Sequence, residues 1–525
     1  MSLLSVSHRN SSGTAPREIA WGALTNWLAF VATLAVSFFL APFFLQQLGT
    51  ARYGIWCIAE AFLGYFTLFD LGIAACLVRY VARCYTRGEL TALNRYAATA
   101  FWLYCGAAVA VLMLGIPLAL LLAPLLQQRG IPPCEPVTLF LILMLLQFAL
   151  TLPLSVFPTL LEALQLFGRK SVVRLVILGL RTTCIVLVIG TAPSLLGLGI
   201  ILAVSQVAEQ GLMLMVLRRY LPALSLSWRW IHRSDVGEVL SYSRDALLAM
   251  VAGRLGGQSG SLLAGVLLST PAAAHYALSY RLVDMGKNLL RAATTTLTPA
   301  FSQREAAGDH LGLRNLFLQA TRLVLYLTVP LQLGLILFGH PFLQRWLGTA
   351  AVADSCYPVA VLLSLTLTPG VAQSVAARVL YGLGQLRHFS RFSLLEAVTG
   401  LALGLVWTSW TGLNGLALAI VGPHVLFCLW TIRAACRATH TTVRDYWYEA
   451  CCRPLLAIGV PATIWWWLSP IPADWYHLFF TGFVGLIPYV LIVLVWEGWL
   501  QRLARPVVSR ATALLCRSHR RSVNN

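Results

Sequence analysis

Residues 20–44 read AWGALTNWLAFVATLAVSFFLAPFF, a run without one charged side chain. A helix rises about 1.5 Å per residue and the hydrocarbon core of a bilayer is about 30 Å thick, so a run of this length crosses a membrane. The same reading repeats down the chain. Apolar runs set off by charged or Pro/Gly punctuation predict further spans at about 53–77, 96–122, 137–158, 174–190, 195–217, 239–269, 275–300, 315–339, 356–380, 391–410, 413–434, 455–470 and 476–498, which makes about fourteen.

Composition agrees. The 525 residues are 58% hydrophobic and 11% charged, with a mean hydropathy of +0.75, whereas soluble proteins run near 45–50% apolar and about 25% charged. The predicted fold class is an all-α polytopic membrane protein. No stretch is left for a soluble catalytic domain of about 100–150 residues, so the sequence excludes most enzymes, and nothing in it suggests a nucleic-acid partner. Lys170 and Lys287 are the only lysines among the basic residues, and the twelve cysteines read as small hydrophobes without metal-ligand spacing. No metal and no cofactor is expected.

The net charge of +19 needs a location. Roughly 27 of the 38 Lys and Arg fall in the termini and alternate loops on one side, about 3 (Arg52, Arg129, Arg345) on the other and about 8 within spans. The positive-inside rule then puts both termini in the cytoplasm. The polar N-terminal segment leads into span 1 without a small-residue cleavage pattern, so span 1 is expected to be retained.

An internal repeat orders the spans. Gly88-Glu89 ahead of Asn94 is echoed by Gly308-Asp309 ahead of Asn315, Pro124 by Pro341, Pro153 by Pro369, and Leu195-Leu196-Gly197-Leu198 by Leu413-Asn414-Gly415-Leu416. The offsets correspond to six spans. An even number gives two parallel copies related by an axis along the membrane normal, a transporter architecture. The expected organisation is a cytoplasmic segment (1–19), a first lobe of six spans (20–220), a cytoplasmic connecting loop (221–238), a second lobe of six (239–436), two added C-terminal spans (437–498) and a basic cytoplasmic tail (499–525).

Charges inside spans are costly and mark pathways. Span 8 carries Arg281, Asp284, Lys287 and Arg291 within an arc of about 140° at 100° per residue. Span 7 aligns Arg244, Arg254, Gln258 and Ser261; span 1 aligns Asn26, Thr33 and Ser37; span 2 aligns Glu60, Gly64, Thr67 and Asp70. These are equivalent helices of the two copies, so a shared cavity is expected, cationic on the second-copy side. Guanidinium forks suit phosphate or pyrophosphate oxygens, and the substrate-binding candidates are Arg244, Arg254, Arg281, Lys287, Arg291, Gln258 and Asn26. Arg181 and Glu209 are expected to pair, Arg322 and Arg378 to snorkel, and Trp465-Trp466-Trp467 to form an aromatic belt. Glu396 and His424 receive no role.

The stretch from Phe43 to Trp56 with its Gln47-Leu48-Gly49-Thr50-Ala51-Arg52-Tyr53-Gly54, then Phe69-Asp70-Leu71-Gly72-Ile73 and Arg79-Tyr80-Val81-Ala82, resembles the opening of polysaccharide-type flippases of the multidrug/oligosaccharidyl-lipid/polysaccharide exporter superfamily. Span 8, with Tyr276, Tyr280, Arg281 and Leu282, is similar to the corresponding helix of the related lipid II flippases, whose cavity arginine falls at Arg281. The resemblance covers spans 1 to 12. It implies alternating access that moves an undecaprenyl-pyrophosphate-linked oligosaccharide, a polysaccharide, O-antigen or exopolysaccharide precursor, between leaflets of the bacterial inner membrane. Partners implied are membrane lipids and the polymerase and glycosyltransferases of the same pathway. Many relatives carry an acid on span 7 where Gln258 and Ser259 stand here, so coupling to H+ or Na+ would fall to Glu60, Asp70 or Asp284. The alternatives are a cation-coupled multidrug or metabolite antiporter of the same superfamily and a membrane polysaccharide polymerase or ligase.

Overall fold

The computed structural model describes residues 15–70, 72–129, 136–230, 236–237, 251, 253–294, 296–468 and 474–498. Its elements are helical throughout: α1 (Ala15–Phe66), α2 (Ile73–Arg87), α3 (Leu90–Gln127), α4 (Val137–Leu154), α5 (Val156–Ala163), α6 (Phe167–Thr191), α7 (Leu195–Tyr220), α8 (residues 253–268), α9 (Thr270–Thr294), α10 (Leu297–Ala306), α11 (His310–Leu347), α12 (Ala350–Ser364), α13 (Leu367–Gly382), α14 (Leu386–Ala438), α15 (Val443–Leu468) and α16 (Trp475–Gly498). In hydrocarbon every backbone N–H and C=O needs an internal partner, and helices supply one. Met113, Trp410 and Phe479 leave most of their surface uncovered, a liability in water that lipid removes.

Ten of the described helices are long and apolar enough to cross a membrane. Two of them cross twice. α1 doubles back at Gly49 (φ 78°) and α14 at Gly412 (φ 66°), each uniting two predicted spans. Spans 7 and 8 correspond to α8 and α9; the first part of span 7 lies outside the described residues, and the charge on α9 keeps its mean hydropathy low.

The boundaries repeat as the sequence motifs do. α3 and α11 are both 38 residues long and start and end 220 residues apart. Before each stands a left-handed glycine, Gly88 (φ 72°) or Gly308 (φ 67°), where a side chain would be strained. The hydrogen bonds around them match: Gly88 and Gly308 donate to Tyr85 and Glu305, and Glu89 and Asp309 donate to Cys84 and Arg304.

Several boundaries differ from expectation. Span 2 does not run straight to 77: it ends at Phe66, passes through a 3-10 turn at Thr67–Asp70, and restarts after left-handed Gly72. Tyr104 of α3 donates a hydrogen bond to Asp70 and pins that turn. Spans 4 and 10 are each interrupted, at Ser155 and at Leu365-Thr366. Trp465 is no belt residue: it is buried, donates its indole N–H to the Thr481 carbonyl (3.1 Å) and lies against Gly485, wedging α15 on α16, while Trp466 and Trp467 are exposed.

The chain packs as two compact units, Met1–Arg281 with Trp346–Val359 and Ser390–His424, and Leu282–Arg345 with Ala360–Phe389 and Val425–Asn525. Within the first unit, the second leg of α1 runs antiparallel to α8. Tyr65 meets Ser259, Gly64 meets Gln258, Ile58 meets Gly265 and Gly54 meets the Thr270 backbone. At the turn, Trp346 stacks on Phe38 (5.0 Å) and donates to its carbonyl (3.1 Å). The second unit is built on Phe301, Phe317, Val371, Val375 and Tyr446, with Phe317 stacked on Tyr446 at 5.3 Å. Arg322, far from snorkelling, binds Glu497 (3.0 Å) and the Glu449 carbonyl (3.2 Å), and Arg314 binds Asp445 and Glu449, so α11 holds both C-terminal spans.

Because a Cβ on Gly54 would collide with the Thr270 carbonyl, Gly54→Val is expected to cost about 1–3 kcal/mol through overpacking. Thermal unfolding in detergent should show the loss, with Gly106→Ala, where nothing lies within 4 Å, as the neutral control.

Candidate functional site

α9 begins at Thr270, and its polar face carries Arg281, Asp284, Lys287 and Arg291 along one continuous helix to Thr294. Arg281 closes the first compact unit. Its guanidinium donates to the Glu60 carboxylate on the second leg of α1, 221 residues away in sequence. The pair is partly buried, and buried Tyr53 and Cys57 lie within electrostatic reach of the guanidinium. A lone arginine in hydrocarbon is costly, and one carboxylate at hydrogen-bond distance removes most of that cost.

The surrounding packing holds α1, α8 and α9 together. Gln258 lies over Gly64, where any Cβ would press on its side chain, and at the next residue of each helix Tyr65 and Ser259 share a hydrogen bond of 2.8 Å. Tyr276 stacks on Tyr280 in the turn of α9 preceding Arg281, with ring centroids 6.2 Å apart. Tyr276 is itself packed onto Gly260 of α8. The sequence-predicted residues Glu60, Gln258 and Arg281 thus belong to one cluster.

The other predicted residues are placed as follows. Asp284, Lys287 and Arg291 continue the same face of α9 in the second unit; Asp284 accepts from Asn288 (2.8 Å), and Lys287 and Arg291 act on it electrostatically. Arg254 is exposed on α8 and Asn26 is exposed on the first leg of α1. Asp70 is engaged by Tyr104 in its turn. Arg244 lies outside the described residues. Glu209 sits in the field of Arg174, Arg181 and Lys170, Arg174 first, so Arg181 is one of three cations that act on it.

Two features escaped the sequence reading. Glu60 and Arg281 were each placed on a polar face but not matched to each other, although their separation is within one residue of the 220-residue repeat. Glu396 and His424 are in hydrogen-bond contact at 2.5 Å between the two legs of α14; an acid and a histidine on adjacent predicted spans were the available signal.

Neutralising either partner leaves the other unpaired. Glu60→Gln and Arg281→Gln are each expected to lower the unfolding temperature, and the double variant to lose less than the two losses added, with a coupling of about 0.5–3 kcal/mol in a double-mutant cycle. Additive losses would show that the two side chains do not interact.

Residues 86–486 match the family model described as lipid II flippase MurJ. No curated protein is matched by the chain. Among solved structures, the chain is similar to a lipid II flippase MurJ in an inward closed conformation, with 11% identity, coverage of 91% of this chain and 99% of that one, and a TM-score of 0.70. It is also similar to an inward-facing multidrug resistance MATE family transporter of the MOP superfamily (12% identity, 80% and 98% coverage, TM-score 0.66). A MOP superfamily transporter from Pyrococcus furiosus aligns at 13% identity over 81% and 95% of the two chains, with a TM-score of 0.55. At these identities the structural likenesses establish the fold, all-α and polytopic. The family match covers well over half of the sequence, and on that ground the chain belongs to the lipid II flippase MurJ family, a family of multi-pass transporters of the bacterial inner membrane.

Proposed function

We propose that the protein flips an undecaprenyl-pyrophosphate-linked oligosaccharide, a precursor of polysaccharide, O-antigen or exopolysaccharide, from the cytoplasmic to the outer leaflet by alternating access. The observation that carries this reading is the cationic face of α9: Arg281 is held by a carboxylate of the other repeat copy, and Lys287 and Arg291 follow on the same helix. Pyrophosphate offers oxygens for bidentate guanidinium contacts. An organic-cation exporter would want the opposite sign.

In this reading Arg254, Arg281, Lys287 and Arg291 receive the pyrophosphate, with Arg244, Gln258 and Asn26 contributing along the path. The phosphate group competes with Glu60 for Arg281, so substrate arrival loosens the contact that joins α1 to α9. Both termini are cytoplasmic, following the positive-inside distribution of arginine, and transport is coupled to H+ or Na+. The polymerase and glycosyltransferases of the same glycan pathway are the partners. A second reading is favoured by the family match: the lipid carried is lipid II itself.

Arg281→Ala and Arg254→Ala are each expected to lower glycan export by about tenfold or more, the equivalent of ~1.4 kcal/mol, at unchanged protein level and membrane insertion; full export by both variants would overturn the assignment. A deletion strain should accumulate the lipid-linked saccharide on the inner leaflet, and chemical analysis of that lipid separates the two readings. An unchanged pool would overturn both.

A further inference from the structure

The Glu396–His424 pair lies outside the cluster described above. α14 crosses the membrane, turns at Gly412 and returns; Glu396 is on its first leg and His424 on its second. Nδ1 of His424 and Oε1 of Glu396 are 2.5 Å apart, with side-chain exposures of 15% and 20%. His424 follows Pro423 directly. Proline has no N–H, so the Ala419 carbonyl loses its helical donor. Gly400, one turn beyond Glu396, meets that place: a Cβ built on it would stand 3.7 Å from the Ala419 oxygen. Both legs also leave the first compact unit here, at Ser390 and at His424. A titratable contact therefore coincides with a proline break and with the limit of a packed body.

We infer that Glu396 and His424 form the proton-binding site of the transport cycle, holding one proton between imidazole and carboxylate. The inference rests on the transporter reading and names the coupling ion which that reading leaves open. With one proton the pair is neutral as a whole; without it, a carboxylate charge remains in a medium of low dielectric. Uptake breaks one O–H bond of a hydronium ion on the acidic side, leaving water, and makes one N–H or O–H bond on the pair; release breaks that bond and forms hydronium on the other side.

The three acids that the sequence offers for coupling are less suited to this task. Glu60 is bound to Arg281, whose guanidinium does not give up a proton in proteins. Asp70 is engaged by Tyr104 and Asp284 by Asn288. Histidine titrates near neutrality, and joined to a carboxylate it can change protonation within the cellular range. Sodium, a hard cation, would want several oxygen ligands, whereas here a ring nitrogen occupies the carboxylate oxygen. The charged groups on the elements packed here are Arg254 on α8, whose Leu263 lies against Gly404, and Arg391, Arg433 and Arg437 on the two legs of α14, all of them cations.

The test uses the full-length protein in phosphatidylethanolamine/phosphatidylglycerol liposomes on a solid-supported membrane, with protons as the probe. A step from about pH 8 to about pH 6, which spans histidine titration, is expected to produce a transient charge displacement in the wild type. Glu396→Gln and His424→Asn should each reduce it at least about fivefold, Glu396→Asp should retain part of it with a shifted pH midpoint, and exposed Glu305→Gln should leave it unchanged. Wild-type displacement in Glu396→Gln, or in His424→Asn, overturns the site; so does displacement that follows a sodium step at constant pH instead. Should one variant fail to fold, the other and the midpoint shift of Glu396→Asp decide. A wild type without displacement sinks the proton site and leaves the flippase reading to the lipid analysis above, while displacement with no accumulated lipid in the deletion strain does the reverse.

Discussion

A guanidinium in hydrocarbon must be neutralised, and in this protein Arg281 meets that requirement through Glu60. Much of the first compact unit is arranged to make the meeting possible. α1 has to double back at Gly49 so that its second leg approaches α8 and α9, and Gly54, Gly64 and Gly265 have to lack side chains so that the approach is close. Association of helices in lipid gains little from hydrophobic burial, because the lipid tails are as apolar as leucine; close backbone contact and polar pairing provide it instead. The second unit solves the same problem differently, with Arg322 and Arg314 tying α11 to carboxylates of α15 and α16.

The fold was largely legible because hydropathy reports where a helix crosses lipid, and because the repeat fixes order. The paired left-handed glycines at 88 and 308 mark the same turn in each copy, and identical cap hydrogen bonds confirm that the sequence echo is a structural one. What hydropathy does not report is continuity. The runs on either side of Gly49 are two helices that meet at its non-helical backbone, as their separate hydropathy suggests, whereas the run from 53 to 77 looks like one span, yet Asp70 and Gly72 break it. A side chain such as Trp465 is equally ambiguous. Its apolar ring suits the lipid interface or a tight seam, and only the small residue opposite, Gly485, decides.

The candidate site was legible by face and not by partner. Helical periodicity placed Glu60 and Arg281 on polar stripes, since azimuth follows from 100° per residue. It could not say which stripe meets which, because that depends on how two helices approach. Arg181 and Glu209 illustrate the converse: adjacency in sequence order suggested a two-residue pair, and Arg174, two turns away on the same face of α6, acts on Glu209 as well, with Lys170. Glu396 and His424 stood on neighbouring runs of opposite direction, and the tight turn at Gly412 brings them level.

The spacing of Glu60 and Arg281 carries one more consequence. Two chains related by a twofold axis make every contact twice, residue i to j and j to i. With copies offset by 220 residues, the reciprocal of the 60–281 contact joins positions 61 and 280, and these are Ala61 and Tyr280. A symmetric ancestor would have built two such ion pairs or none. The duplicated chain keeps one, with the acid fixed in the first copy and the base in the second, so the halves have ceased to be chemically interchangeable while remaining topologically alike.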